Sequence, residues 1–406
     1  MPPVGKSGRI KVALYYPWIY LTSGAERTIL ELSGRSRHDW TIFTNHYDPQ
    51  HTFPEFSKRR IVVLGHVPVK RSLVSVARAA ISILKQRLPL DEYSAVVVVC
   101  EGMGDLILFR NASKPSLCIC LTPLRPVFDP VYRDRALKAK SGVQRLALRA
   151  AAALFRGLDQ IAWRRYRKVL CISNEVERRV YAGGLASKEK VAVVHPGLGF
   201  SPAVPSDSFR RFFLLPGRIM WTKNIELGIA AFKEFRVSHP HAKDFKLIVA
   251  GIVDEKSKTY YEKLQRLAER DEDIVFRVFP SDEELAELYA HCYAVLFTSF
   301  NEDWGMVPLE AMSFGKPVIA VNSGGPKETV LPGRNGLLAE PEPSAFARCM
   351  AALVQDPDWA LRMGRTGHQM SQQFSWDPFV SRVDRELEEI CDRSSGWAYA
   401  VAQTAR

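Results

Sequence analysis

No stretch of 18 apolar residues occurs in this 406-residue chain, so no segment reads as a bilayer-spanning helix. The apolar run at residues 10–21 is broken by Lys11 and Pro17 and lacks a small-residue cleavage site, which argues against a signal peptide. Cysteine is sparse and unpatterned. The seven residues at 100, 118, 120, 171, 292, 349 and 391 contain no CxxC pair, so neither a zinc ribbon nor a disulfide framework is indicated. Several lie inside apolar runs, as buried free thiols do, and a reducing cytoplasm is the expected compartment. Gly102-Met103-Gly104 lacks the third glycine of a dinucleotide fingerprint, since residue 107 is Ile. Asp271-Glu272-Asp273 and Asp356-Pro357-Asp358 match the Asp-x-Asp of metal sites. They sit among charges or prolines with no preceding strand, and read as exposed turns. His239-Pro240-His241 reads as a loop, and Asn111-Ala112-Ser113 as a chance match to a glycosylation acceptor. Cys118 and Cys120, on one face of an expected strand, read as buried thiols.

What is present is an ordinary globular mixture, 47% hydrophobic and 25% charged, long enough for two or three domains with their own cores. Charge is unevenly placed. Residues 1–200 hold 32 Lys/Arg against 15 Asp/Glu, and residues 201–406 hold 24 against 29. The first half therefore faces something anionic or is simply well solvated.

Short β-branched runs recur at residues 9–16, 40–45, 60–65, 94–100, 116–122, 168–173 and 191–195. They recur again at 211–215, 245–250, 274–279, 294–299, 317–321 and 336–339. Segments with helical spacing separate most of them. The runs are continuous rather than alternating, as in strands buried on both faces, so parallel sheets with right-handed crossovers are expected. Residues 201–207 are Pro- and Ser-rich and fall where the charge changes sign, which marks a linker. The tail from about Cys391 reads as weakly structured.

Three loops could carry chemistry. Ser23-Gly24-Ala25-Glu26-Arg27 follows the first strand and opens a helix, where a glycine lets an anion approach free N–H groups. Pro216-Gly217-Arg218 and Lys223-Asn224 follow the first strand of the second half. Arg and Lys five apart there suit a diphosphate, the Arg by a bidentate contact and the Lys as a point charge. The sharpest pattern runs from Ser299 through Trp304-Gly305-Met306 to Met312. Glu302 lies in a loop and Glu310 in the next helix among apolar neighbours, where a carboxylate needs hydrogen-bond donors such as sugar hydroxyls. A helix-start carboxylate favoured by the dipole accounts for one glutamate but not for the loop. Asn322-Ser323-Gly324-Gly325-Pro326-Lys327-Glu328 is another strand-end loop, followed by Gly333-Arg334-Asn335-Gly336.

Arg218 with Lys223, Glu302 with Glu310, and the Ser-Gly-Gly-Pro-Lys-Glu loop ahead of Asn335-Gly336-Leu337-Leu338 resemble the donor site of glycosyltransferase family 4. Ser23 to Arg27 and Leu121-Thr122-Pro123-Leu124-Arg125 are similar to its mannosyltransferase-like branch. The resemblance covers about residues 9–390. It implies an α/β, GT-B fold: two doubly wound Rossmann-like domains facing a central cleft, with a C-terminal helix crossing back. The domains would be 1–205 (acceptor-binding), 206–375 (nucleotide-sugar-binding) and 376–406 (crossover helix and tail). It also implies a retaining transfer from GDP-mannose or a UDP-sugar to a saccharide or lipid-linked acceptor in glycan assembly, with no metal and no cofactor.

By the same resemblance, Gly24 would hold a donor phosphate through its backbone, and Arg218 and Lys223 would neutralise the leaving diphosphate. Glu302 would bind the transferred sugar near its anomeric carbon, and Glu310 the ribose. Gly305, Met306 and Val307 would offer backbone contacts, and the base would stack near Phe279 and Pro280. Thr122 and Arg125 would lie on the acceptor side. Two positions depart from the pattern: Ser23-Gly24 stands in place of Gly-Gly, and Leu121 where the branch usually carries His.

The basic stretch 70–88 has helical apolar spacing, and 133–168 holds 11 Lys/Arg against Asp134 and Asp159, so peripheral attachment to an anionic membrane face is expected of an otherwise cytoplasmic protein. A degenerate, non-catalytic relative and a basic nucleic-acid-binding protein are the competing readings. The second has no RNP, KH, zinc-finger or helix-turn-helix signature to support it, so nucleic acid is not expected as a partner.

Overall fold

The computed structural model describes residues 8–65, 67, 73–138, 140–199, 204–269 and 271–404. The chain divides into two compact units, Met1–Gly197 with Ser375–Arg406, and Leu198–Phe374. All thirteen runs expected as strands are strands, with ends that move by no more than two residues.

In the first unit these are β1 (Lys11–Tyr15), β3 (Asp39–Thr44), β5 (Ile61–Val63), β6 (Ala95–Cys100), β7 (Ser116–Cys120), β8 (Lys168–Cys171) and β9 (Val191–Val193). Two two-residue strands, β2 (Trp18–Ile19) and β4 (His46–Tyr47), pair with each other beside them. The main sheet is wholly parallel, in the order β5-β3-β1-β6-β7-β8-β9. Every residue of β6 and β7 is buried, as continuous apolar strands between two helical layers require. The helix Trp376–Thr404 belongs to this unit. It buries Trp376, Phe379, Val380, Val383, Leu387 and Ile390, a helical stripe. Its polar side meets the end of the helix Gly24–Arg35. Arg35 pairs with Asp377, Ser36 donates to Asp384, and Arg37 grips Glu388 with two nitrogens. The helix runs on through Thr404, where a weakly structured tail was expected from Cys391 onward.

The second unit holds β10 (Phe212–Pro216), β11 (Lys246–Gly251), β12 (Ile274–Val278), β13 (Ala294–Phe297), β14 (Val318–Val321) and β15 (Gly336–Ala339), parallel in the order β12-β11-β10-β13-β14-β15. Its core centres on an aromatic cluster. Phe213 stacks on Phe245 at 5.3 Å and meets Phe235 edge-on at 5.5 Å. The helices Ile225–Ser238 and Pro343–Gln355 pack together over one side of the sheet.

Residues 201–203 of the expected linker lie outside the described residues, and its remainder is bound to the second unit. Leu198 N–H donates to Phe374 O, and Pro205 sits against Gly315. The fully buried Lys316 donates to the carbonyls of Ser206 and Ser208, each at 2.7 Å, with its ammonium 4.0 Å from the Phe209 ring centre. The units therefore part after Gly197, not at 205. Burial lowers the Lys316 pKa to about 8.

Three further motifs find their places in the structure. Asn111 is buried, and its side chain is spent on Leu88 N, Gln86 O and Ile107 O, so it is a structural residue, not a glycan acceptor. Asp271 and Asp273 are half-buried partners of Arg236, at 2.8 and 3.0 Å, and not exposed turn residues. Asp356 caps the helix Pro357–Ser371.

Replacing Lys316 removes the donor from two part-buried carbonyls, at about 1–2 kcal/mol for each hydrogen bond to a charged group. Lys316→Met should lower the unfolding free energy of the second unit by roughly 2–4 kcal/mol. Denaturant titration of the purified variant measures this, and an unchanged midpoint would mean that the clasp carries no stability.

Candidate functional site

In the second unit the strand order reverses between β10 and β13, so the loops leaving these two strands run apart and open a crevice. Arg218 is in the first loop and is exposed. Lys223 ends a short 3₁₀ turn, Trp221–Lys223, and Asn224 in a left-handed conformation then starts the helix Ile225–Ser238. The second loop is tied to the first. Phe300 N–H donates to Thr222 O and Thr298 Oγ1 to Lys223 O. Across the join Lys223 Nζ meets Glu302 Oε2 at 2.6 Å, with both side chains about one-fifth exposed. Lys223 also lies 5.7 Å from the centre of the Phe297 ring.

A third loop supports the second from behind. Gly324 has φ +70°, and a Cβ there would stand 2.4 Å from Glu302 O. Gly325 N–H donates to that same carbonyl at 2.9 Å. Trp304, buried against Phe374, anchors the middle of the second loop. The helix Met306–Ser313 then begins behind Gly305 with no side chain capping it, which leaves its first N–H groups, those of Met306 and Val307 among them, directed at the crevice end.

Glu310 projects one turn further on. Its Oε2 accepts from the buried Tyr289 hydroxyl at 2.7 Å, and its Oε1 lies beside Gly199. Burial raises its pKa, opposed by the Tyr289 hydrogen bond and the Lys223 charge. Tyr289 in turn stacks flat on Phe314 at 5.4 Å. The sequence carried no sign of Tyr289, because a tyrosine at helical spacing reads as core. At the C-terminal end of β12, Phe279 has φ 56° and is 63% exposed, with Pro280 following it. A large apolar ring held outward by strained backbone is a platform in search of a flat partner. The structure therefore gathers Arg218, Lys223, Glu302, Gly305, Met306, Val307 and Glu310 at β10 and β13, and sets Phe279 and Pro280 at β12, two strands from β10 and three from β13.

The first unit reverses its strand order between β1 and β6. There Ser23 caps the helix Gly24–Arg35, accepting from Ala25 N–H. A Cβ on Gly24 would meet nothing within 4 Å, so no neighbour in the unit demands a glycine there. Glu26 is buried, takes a hydrogen bond from the Ser23 hydroxyl, and has its pKa pushed up to about 7 by burial, with Glu101 adding to the rise. Tyr16 donates to Glu101 at 2.7 Å across the reversal.

Thr122 and Arg125, expected on the acceptor side, are both engaged in the unit's own bonding. Arg125 pairs with Asp129 at 3.0 Å, and the buried Arg179 donates to Thr122 Oγ1 while pairing with Glu175. Leu121 is buried above them. A separate cavity of about 690 Å³ opens at the opposite, N-terminal ends of these strands, among Arg9, Lys114, Arg165, Arg167 and Glu388.

Residues 201–370 match the family described as Glycosyl transferases group 1. Over 402 residues the chain is 31% identical to the alpha-1,3/1,6-mannosyltransferase ALG2 of Homo sapiens, covering 90% of this chain and 93% of that protein. It is 32% identical to the D-inositol 3-phosphate glycosyltransferase of Streptomyces avermitilis over 215 residues, about half of each chain. Among solved structures, the Anabaena protein Alr3699/HepE in complex with UDP and glucose superposes with a TM-score of 0.69 at 17% identity, covering 95% of this chain and all of that one. The architecture is thus the GT-B fold.

The Glu26 carboxyl gives the first unit a pH dependence of known sign. Its folded pKa lies above the unfolded one, so its contribution to stability is whole below about 4.5 and lost as pH rises through about 7. Glu26→Gln cannot ionise. It should flatten that decline and be the more stable form at pH 8, by up to about 3 kcal/mol. Thermal unfolding across pH decides, and parallel profiles for the two proteins would refute the assignment.

Proposed function

The chain belongs to the group 1 glycosyltransferases, and from its crevice we propose that it moves mannose from GDP-mannose to a lipid-linked saccharide, with retention at the anomeric carbon. The observation that carries this reading is the Lys223–Glu302 pair at the strand reversal, with Arg218 exposed beside it and the uncapped helix start beyond. The likeness to a mannosyltransferase over nine-tenths of the chain supports the choice of sugar.

A nucleotide lies along the strand ends in this arrangement. Its base stacks on Phe279 and its ribose hydroxyls donate to Glu310. Three strand spacings, about 14 Å, separate the two loops that hold its ends. Arg218 and Lys223 take the diphosphate, Met306 and Val307 N–H groups reach its oxygens, and Glu302 accepts from the sugar hydroxyls. As the bond from the anomeric carbon to the diphosphate breaks, negative charge gathers on the leaving oxygen, and the fixed cations and helix start oppose it without rearranging. The acceptor hydroxyl oxygen bonds to the anomeric carbon on the face the diphosphate leaves, and its proton passes to a phosphate oxygen. No protein base is required. We assign no metal to this step, because both Asp-x-Asp pairs are committed to Arg236 and to a helix cap.

Arg218→Ala should lower transfer by roughly 10²–10³-fold with the fold intact. Initial rates with GDP-mannose and with UDP-sugars, run with and without EDTA, test both donor and mechanism. A wild-type rate in the variant would remove Arg218 from the site. Wild-type protein that neither transfers nor hydrolyses any donor would favour the non-catalytic reading.

The lipid-linked acceptor draws support from the first unit. Among the described residues no helix is long and apolar enough to cross a membrane. The helix Gly142–Trp163, however, exposes Val143, Leu146, Leu154 and Ile161 at helical spacing, the first three about 70–80% open to solvent. The helix Leu73–Lys85 exposes Val74, Val76 and Ile81; residues 70–72 of the expected basic stretch lie outside the described residues. Arg145, Arg149 and Arg156 are exposed on the longer helix. Apolar insertion thus joins the charge attraction read from the sequence. Binding to anionic vesicles should fall with salt, and Leu146→Glu with Leu154→Glu should abolish it in co-sedimentation. Retention by the double variant would leave charge alone as the cause.

A further inference from the structure

A second chemistry lies on one face of the first sheet, at the ends of β6 and β7 beneath the loops that carry Glu101 and Thr122. Cys100 ends β6, Cys118 and Cys120 lie in β7, and Cys171 ends β8. Parallel pairing sets Cys100 beside Cys120 and Cys120 beside Cys171, so their side chains share one face, and Cys118 shares it two residues back. The sulfurs of Cys100, Cys118 and Cys120 all lie within 4.8 Å of one another, in a fully buried position. A carboxylate joins them. Asp105 Oδ2 is 3.0 Å from Cys100 Sγ, and Asp105 Oδ1 accepts from the buried Tyr166 hydroxyl at 2.5 Å.

Asp159, on the helix Gly142–Trp163, faces the same group and is 1% exposed, and neither of its oxygens has a hydrogen-bond partner. The Trp163 indole N–H stands next to it and favours the ionised carboxyl. Buried carboxyl oxygens with no donor are uncommon and call for an explanation.

We propose that Cys100, Cys118, Cys120 and Asp105 form a buried four-donor site for a soft divalent metal ion of the zinc type. Three sulfurs and one carboxylate oxygen satisfy tetrahedral coordination. Zinc–sulfur bonds of about 2.3 Å require sulfurs about 3.8 Å apart, so the three sulfurs need to close by no more than about 1 Å, while Asp105 Oδ2, set against Cys100, has to swing toward the other two sulfurs to take the fourth position. Three thiolates and a carboxylate carry the same charge as the four thiolates of ordinary structural zinc sites. Tyr166 already holds Asp105 in place from the second layer by donating its hydroxyl proton to Oδ1. All four positions are filled by protein, so the ion is structural and takes no part in sugar transfer. Its effect is to lock β6 to β7 just ahead of Thr122, whose carbonyl lies 3.6 Å from Cys100 Sγ.

The test uses the full chain, unfolded with chelator and refolded with either Zn²⁺ or Co²⁺, then freed of excess metal. One ion per chain is expected by mass spectrometry of the metal content. The cobalt form should show thiolate charge-transfer absorption and the intense bands of a tetrahedral centre. Both should vanish in Cys118→Ser with Cys120→Ser and survive in Cys349→Ser with Cys391→Ser, which lie outside the cluster. Should the first double variant fail to refold, Asp105→Asn replaces it and should release metal at lower chelator concentration than the native chain. Refolded native protein without bound metal, or metal retained equally by every variant, overturns the proposal.

Discussion

A parallel sheet that reverses its strand order must leave two neighbouring loops diverging, and this chain has two such places. The loops there cannot cover each other, so polar groups reach the surface in a position no packing rule fills. In each unit a pair of side chains spans the gap, Tyr16 to Glu101 in one and Lys223 to Glu302 in the other. The rest of the fold serves to hold these loop roots still. The buried strands position them, and the aromatic cluster around Phe213 keeps the second sheet from shifting beneath them.

The second crevice is rigid where rigidity helps. Backbone hydrogen bonds tie the β13 loop to the β10 loop on one side and to Gly325 on the other. Lys223 pairs with Glu302, so a diphosphate bound as proposed would share that cation with a carboxylate. The two functions separate naturally: the carboxylate can turn to hydroxyl donors once phosphate oxygens replace it. Tyr289, out of sight behind Glu310, fixes the other carboxylate by a single hydrogen bond and a flat stack on Phe314.

The strands were legible because burial on both faces leaves continuous β-branched runs, and thirteen such runs became strands. Residues at strand ends were legible because Gly, Arg, Lys and Glu in loops have few structural reasons to be there. Pairings across sequence distance were not. Nothing local announces that Arg236 will claim Asp271 and Asp273, that Arg179 will claim Thr122, or that Lys316 will hold the linker by its carbonyls. Asn111 illustrates the same limit. Its motif is a surface motif, yet the side chain serves as a buried splint between three backbone groups. Cys118 and Cys120 read as buried thiols on one face of a strand, and it is register, not spacing, that brings Cys100 to them.

The helix Trp376–Thr404 has a consequence for how the protein is made. It supplies apolar packing and ion pairs to a unit whose other residues end at Gly197. A ribosome delivers that helix only after the whole of the second unit has emerged. The second unit, continuous in sequence, can complete its core during synthesis, whereas the first must wait with the end of Gly24–Arg35 and the flank of β8 uncovered. The nascent first unit is therefore the natural client for a chaperone, and a premature stop just before Ser375 would harm the unit farthest from it along the chain.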